Sequence, residues 1–196
     1  MLGSAFNPPH LGHLVLAQEA AAQLGLERVL LVPTGRAPHK EIPEDPGREV
    51  RLEMTLAAVD GNGVLEVERV EVDAAEQNED PTYTYVTLEA LSGQRDEDLV
   101  WIMGADAAVG LGEWRNPERI LELARVAVAG RPGVDAAAVE AVLERLGGAE
   151  RAEFIEMPVI GVSSTMVRQR VAARRPIRYL VPERVAELIE GRGLYA

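Results

Sequence analysis

The sequence predicts an α/β fold built on a parallel sheet, and three observations carry that expectation. Arg28-Val29-Leu30-Leu31-Val32 and Asp98-Leu99-Val100-Trp101-Ile102-Met103 each contain an unbroken apolar run, the pattern of strands buried on both faces. Segments with apolar residues at helical spacing separate such runs, so strands and helices alternate. A loop of small residues and prolines, Gly3-Ser4-Ala5-Phe6-Asn7-Pro8-Pro9, leads directly into a helical pattern.

Composition bounds the function. The chain of 196 residues, 47% hydrophobic, is long enough for one domain with a real core, expected to span 1–196 with a helical part from about 163 onward. No apolar run reaches membrane-spanning length and no N-terminal signal pattern appears, so no membrane partner is expected. There is no cysteine, which excludes disulfides and thiolate chemistry and is compatible with a cytoplasmic location. A net charge of −12 makes non-specific nucleic-acid binding a poor fit, so none is expected. Phosphate recognition would need local positive charge within this acidic chain. Lys40, the only lysine, and the only histidines, His10, His13 and His39, fall in two short stretches that read as binding loops.

In the first of these, His10-Leu11-Gly12-His13 opens a helix whose apolar positions are Leu14, Leu16, Ala17, Ala20, Ala21 and Leu24, ending at Gly25. Residues three apart share a helix face, and a helix N-terminus offers unpaired N–H groups and partial positive charge to a phosphate. Two histidines here could equally serve as caps. A zinc pair is a weaker reading, since no cysteine is available to complete the site.

Residues 28–32 form the next strand, followed by the turn-rich loop Pro33-Thr34-Gly35-Arg36-Ala37-Pro38-His39-Lys40, either a binding loop or an ordinary solvated one. The loop continues to Gly47, and residues 48–59 read as a helix on which Arg51 is either a motif residue or a surface one. Residues 64–72 alternate with one slip and read as a strand with a bulge, followed by an acidic loop to Pro81. Thr82-Tyr83-Thr84 opens a helix in which either threonine could cap.

Residues 98–103 form a buried strand ending at Gly104-Ala105-Asp106, and an acidic group just beyond a strand end is well placed to meet ribose hydroxyls or to cap the next helix. Trp114 and Arg115 follow, Trp114 being either a core plug or a ligand-facing ring. A helix at 120–123, a strand and turn over 126–133, an Ala-rich helix over 134–146 and a short strand over 153–157 complete the alternation. Val162-Ser163-Ser164-Thr165-Met166-Val167-Arg168 is the second strong signal. Hydroxyl residues open a helix and Arg168 lies one turn in on the same face, so N–H groups, hydroxyls and a guanidinium can converge on a phosphate. The arginines from 168 to 178 otherwise read as a solvated basic face, and a helix over 183–190 precedes Gly193-Leu194-Tyr195. No internal repeat or linker is present.

Gly3 to His13 resembles the HxGH signature of the nucleotidylyltransferase superfamily, and within it the nicotinate (or nicotinamide) mononucleotide adenylyltransferase family. The family run is Gly-Gly-Thr-Phe-Asp-Pro before His-x-Gly-His; here Ser4, Ala5 and Asn7 stand in place of Gly, Thr and Asp. Residues 162–168 resemble the family's Ile-Ser-Ser-Thr-x-Ile-Arg motif. The segments at 38–40, 51–54, 82–84 and 104–114 and the C-terminal Gly-Leu-Tyr are similar to it as well. The resemblance implies a Rossmann-like, doubly wound parallel sheet. Family members carry a hydrophobic strand before the glycine loop, where this chain has only Met1 and Leu2; the expectation is a truncated first strand and a native chain that begins upstream.

The resemblance further implies transfer of AMP from ATP to nicotinate mononucleotide, releasing pyrophosphate, with Mg²⁺ bound mainly through ATP phosphates and no metal held by the protein. It implies catalytic roles for His10, His13 and Arg168. It puts Gly3, Ser4, Ala5, Phe6, Gly104, Asp106, Ser163, Ser164 and Thr165 at ATP, and His39, Lys40, Thr82, Tyr83, Thr84, Trp114 and Arg115 at the mononucleotide. The anionic mononucleotide phosphate can attack the α-phosphorus in line without a general base. The alternatives are a nicotinamide mononucleotide or phosphopantetheine-type adenylyltransferase and a nucleotide-binding sensor without catalysis. A homo-oligomer is left open.

Overall fold

The computed structural model describes residues 1–37, 41–77, 80–93, 98–130 and 135–196. Strands β1 (Leu2–Ser4), β2 (Val29–Pro33), β3 (Leu65–Val67), β4 (Val100–Gly104), β5 (Arg125–Ala129) and β6 (Ala152–Ile155) form one sheet in the order β3-β2-β1-β4-β5-β6. Every pairing in it is parallel. Helices α1 (Leu11–Leu24), α2 (Arg48–Val59), α3 (Val70–Gln77), α4 (Thr84–Ser92), α5 (Ala105–Val109), α6 (Pro117–Leu123), α7 (Ala136–Arg145), α8 (Ser164–Ala172) and α9 (Glu183–Gly191) connect and follow the strands. This is the doubly wound, Rossmann-like arrangement expected. Its strand order reverses between β1 and β4, where open α/β sheets leave a crevice at their carboxyl ends.

The unbroken apolar runs have the expected cause. Along β2 and β4, Leu30, Val32, Trp101 and Met103 join one core cluster, while Val29, Leu31, Val100 and Ile102 join another. Alternate side chains point to opposite faces, so a strand covered on both sides is apolar at every position. A third cluster, around Met54, Val167, Val181, Val185 and Ile189, packs α8, the 177–181 segment and α9 against α2.

The first strand is present. Leu2 to Ser4 pair with Leu31 to Pro33 on one side, Leu2 pairs with Ile102 on the other, and the Met1 carbonyl accepts from Ile102 N–H at 2.7 Å. Met1 and Leu2 are buried, and the terminal amine donates to Val100 O at 2.6 Å. Strand β1 is short, with three residues between the five-residue strands β2 and β4.

The 64–72 segment differs from its expected form. Only Leu65–Val67 is strand, and the slip in alternation marks the passage into helix α3 rather than a bulge. Val72 is fully buried and Glu71 nearly so, which sets the helical face inward, and Arg69 pairs with Asp73 one turn on. The acidic stretch after Val72 is therefore helical through Gln77. No helix among the described residues is long and apolar enough to cross a membrane.

Candidate functional site

A cavity of about 810 Å³ opens at the carboxyl ends of β1, β4 and β5, over the reversal in strand order. Gly3, Ser4, His10, His13, Gly104, Asp106, Trp114 and Ser163 all line it. Residues from both ends of the chain, and from both strong motifs, thus meet at one crevice.

The two histidines are fixed by the helix they open. His10 is the N-cap of α1, and its Nδ1 accepts from Gly12 N–H at 3.1 Å. The His13 Nδ1 in turn accepts from the His10 N–H at 3.3 Å, completing a reciprocal capping box. The capping role and the cavity-lining position coincide. A ring whose Nδ1 accepts carries its proton on Nε2, so each imidazole is a neutral Nε2–H donor. His13 Nε2 lies 3.3 Å from Ser4 Oγ. The rings stack with centroids 3.8 Å apart, and Phe6 sits edge-on to His13. Burial lowers His10 to about pKa 4; burial, and then the neighbouring His10, holds His13 well below its ordinary value. Both rings are neutral at pH 7.

Small residues at the crevice have two separate causes. A Cβ on Gly3 would lie 2.6 Å from the buried Trp101 ring, so this glycine accommodates the tryptophan beneath it. A Cβ on Gly12 would meet the His10 ring at 3.0 Å, so that glycine leaves room for the capping imidazole.

Other sequence-predicted residues lie behind or beside the crevice. Phe6 is fully buried, and the Ala5 carbonyl accepts from Arg51 at 3.0 Å. Ser163 caps α8 by accepting from Met166 N–H, Ser164 Oγ donates to Pro8 O at 2.8 Å, and Thr165 is exposed. Arg168 is buried with its guanidinium turned onto the motif loop. It donates to Asn7 O at 2.8 Å and Glu44 at 2.6 Å, and reaches Thr165 Oγ1 at 3.5 Å. Asp106 is the second residue of α5, whose N-cap is Gly104, so Asp106 is not itself the cap.

Thr82, Tyr83, Thr84 and Arg115 gather beside the cavity rather than in its lining. Tyr83, not either threonine, is the N-cap of α4, without a side-chain bond. Thr82 N–H donates to Arg36 O, and its buried Oγ1 has no hydrogen-bond partner among the described residues. The Arg115 guanidinium lies 5.0 Å from the Tyr83 ring centre. His39 and Lys40 lie outside the described residues. A groove of about 790 Å³ beside α8 and α9 contains none of the predicted site residues.

Several contributors were not assigned to the site from the sequence. Arg51, only 1% exposed, is neither a surface residue nor in the cavity. It binds Asp45 and the carbonyls of Ala5, Thr34 and Gly35, tying the loops after β1 and β2 together. Glu71 accepts from Thr87 Oγ1 at 2.7 Å and from Gly35 N–H at 3.4 Å, and burial raises it to about pKa 7. Trp101, Met103 and residues 157–162 complete the cavity wall, and in the sequence they read only as core strand and connecting loop.

A profile of the cytidylyltransferase-like family matches residues 1–170. A protein of Roseiflexus sp. (strain RS-1), described as a probable nicotinate-nucleotide adenylyltransferase, is 43% identical over 197 residues, covering 100% of this chain and 96% of that one. One from Rubrobacter xylanophilus with the same description is 38% identical, covering 100% of this chain and 90% of its own. Among solved structures, a Plasmodium falciparum nicotinic acid mononucleotide adenylyltransferase complexed with NaAD superposes with a TM-score of 0.78. It covers 99% of this chain and 95% of that one at 14% identity, a likeness of fold.

Proposed function

The chain belongs to the cytidylyltransferase-like family and to its nicotinate-nucleotide adenylyltransferases, and from that premise we propose how its residues work. ATP and nicotinate mononucleotide meet in the crevice between β1 and β4. A mononucleotide phosphate oxygen attacks the α-phosphorus of ATP in line. The bond from that phosphorus to the bridging oxygen breaks, AMP is joined to the mononucleotide, and pyrophosphate leaves. The single observation that carries this reading is the pair of neutral Nε2–H imidazoles at the head of α1, facing the same cavity as Ser163 at the head of α8.

His10 and His13 donate to phosphate oxygens as charge builds on them. Neutral donors suit this role, since they are held in place by the capping box and need no reorganisation during the reaction. The N–H groups of Ser164 and Thr165 lie in the first turn of α8, which no preceding helical carbonyl serves, and are assigned to the pyrophosphate with Arg168. Arg168 would exchange the Glu44 carboxylate for phosphate oxygens. Gly3 and Ser4 line the ATP phosphates, chiefly through backbone, with Ala5 and Phe6 supporting them from behind, and Gly104 and Asp106 take the ribose side.

Trp114 faces the mononucleotide, with Thr82, Tyr83, Thr84 and Arg115 beyond it, and His39 and Lys40 are assigned to the same substrate from the sequence alone. Mg²⁺ is proposed to arrive with ATP. The described residues gather no group of three or more His, Asp or Glu fit to hold a metal, so no protein site is given to it and no step is routed through it.

Pyrophosphate release with ATP, Mg²⁺ and either nicotinate or nicotinamide mononucleotide tests the reading. Release with the acid and little with the amide is expected. Release with the amide alone would overturn the substrate, and ATP binding without release from either would overturn the reaction.

A further inference from the structure

The loop between β1 and α1 carries His10, yet it is held from outside at one residue. Asn7 is 2% exposed and makes three hydrogen bonds to three distant segments. Its Nδ2 donates to Pro43 O at 2.7 Å, its Oδ1 accepts from Tyr195 Oη at 2.6 Å, and its carbonyl accepts from Arg168 at 2.8 Å. The side-chain geometry requires an amide. A carbonyl such as Pro43 O can only accept, so it must face the NH₂, which leaves the oxygen to the phenol. A carboxylate could serve Tyr195 but not Pro43.

Backbone strain gathers at the same place. Phe6, Glu44 and Tyr195 all have positive φ, at 48°, 52° and 61°. Phe6 precedes Asn7, Glu44 follows Pro43 and binds Arg168, and Tyr195 supplies the phenol. Bulky side chains in this region are strained and persist only where surrounding contacts hold them. Beyond Asn7, Pro8 and Pro9 lead to His10. Their rings fix φ, so a displacement of Asn7 passes toward His10 with little slack.

We propose that Tyr195, through its hydrogen bond to Asn7, is a positioning residue for the adenylyl-transfer site, holding the 5–10 loop so that His10 faces the cavity. The inference rests on the functional reading above. Tyr195 is absent from the cavity lining, so it acts through Asn7 and not on the substrate. Burial pushes its phenol above the ordinary range, which keeps it a proton donor.

Tyr195→Phe tests this with steady-state kinetics, a double-mutant cycle and amide hydrogen exchange. The substitution should lower kcat about tenfold and leave both KM values within about twofold, since misplacing a reacting group costs rate more than binding. In an Asn7→Ala background the same substitution should cost nothing further, because the bond is already gone. The amides of residues 5–7 and 10–14 should exchange about tenfold faster in Tyr195→Phe, with those of α9 unchanged. Unchanged kcat with a lowered melting temperature would make Tyr195 a plain staple and overturn the proposal. Full additivity in the cycle would overturn the route through Asn7. Exchange is read independently of activity. If those loop amides do not respond, the proposal falls whatever the enzyme does. If they respond while the wild type forms no dinucleotide, the functional reading falls and the hold on the loop stands.

Discussion

Around the histidine pair that opens α1 the bonds of Ser4, His10, Gly12 and His13 join residues two to nine positions apart, whereas beside the start of α4 the Glu71 carboxyl joins residues 16 and 36 positions away. Ser4, His10, Gly12 and His13 bond within one loop and the first turn of its helix. Near α4, by contrast, Glu71 of α3 holds both Thr87 of α4 and the Gly35 N–H after β2, and Arg115 stacks on Tyr83. The bonds between the two histidines depend on local backbone geometry, although distant residues hold the loop before them; the α4 region depends on three packed elements and one buried carboxyl. Their responses to pH are opposite because one region buries bases and the other an acid. Burial drives the imidazoles down and the carboxyl up, because in each case it disfavours the charged form.

The largest expected effect breaks the local region. His13→Ala removes a donor at the cavity and one arm of the capping box. Turnover should fall about 10³-fold, by analogy with loss of a preorganised donor, with a stability loss of only about 1 kcal/mol from the cap. Pyrophosphate release and urea unfolding measured on the same preparation separate the two. Near-normal turnover would remove His13 from the chemistry.

Titration sharpens the comparison next. Glu71 is raised from 4.5 to about 7 in the folded chain, so the folded state holds a proton that the unfolded state has released between those values. Its stabilising contribution is full below pH 4.5 and is lost as pH rises through 7, by up to about 3 kcal/mol. His10 runs the other way. Lowered from 6.5 to about 4, its contribution is full above pH 6.5 and is lost as pH falls through 4. Urea unfolding of the wild type and Glu71→Gln at pH 5 and pH 8.5 should therefore show the wild type losing stability relative to the variant at the higher pH. A constant difference would mean that the carboxyl titrates normally.

Arg115→Ala should have the smallest effect. Its guanidinium is exposed, and an exposed cation–π contact contributes about 0.5–1 kcal/mol. The KM for nicotinate mononucleotide should rise about two- to fivefold at constant kcat in initial-rate measurements. An unchanged KM would put the Tyr83–Arg115 pair outside the substrate's reach.

Legibility in the sequence followed the distance over which each contact acts. The histidine pair was readable because its spacing, the glycine between and the helical pattern after it all lie within one short segment. Strands β2 and β4 were readable because burial on both faces leaves almost no polar position. The 70–77 helix was not, since Val70 and Val72 fit a strand as well as a helix and only the pairing of Glu71 with Thr87 shows its face. Thr82 looked like a cap by residue type, but the chain enters α4 one residue later. Arg51 could not be told from a surface arginine, because the carbonyls it binds belong to loops that approach it only in the fold.

Residue order was sufficient for the alternation of strand and helix, the two helix-opening motifs and the family they resemble, since these rest on periodicity and neighbouring side chains. Strand order brought those motifs to one crevice. Packing made the histidines neutral, turned Arg168 onto Asn7 and Glu44, and brought Tyr195 against a loop 188 positions away. Burial, proton affinity and long-range hydrogen bonding depend on which surfaces meet, and a linear pattern specifies those meetings only through the folded chain.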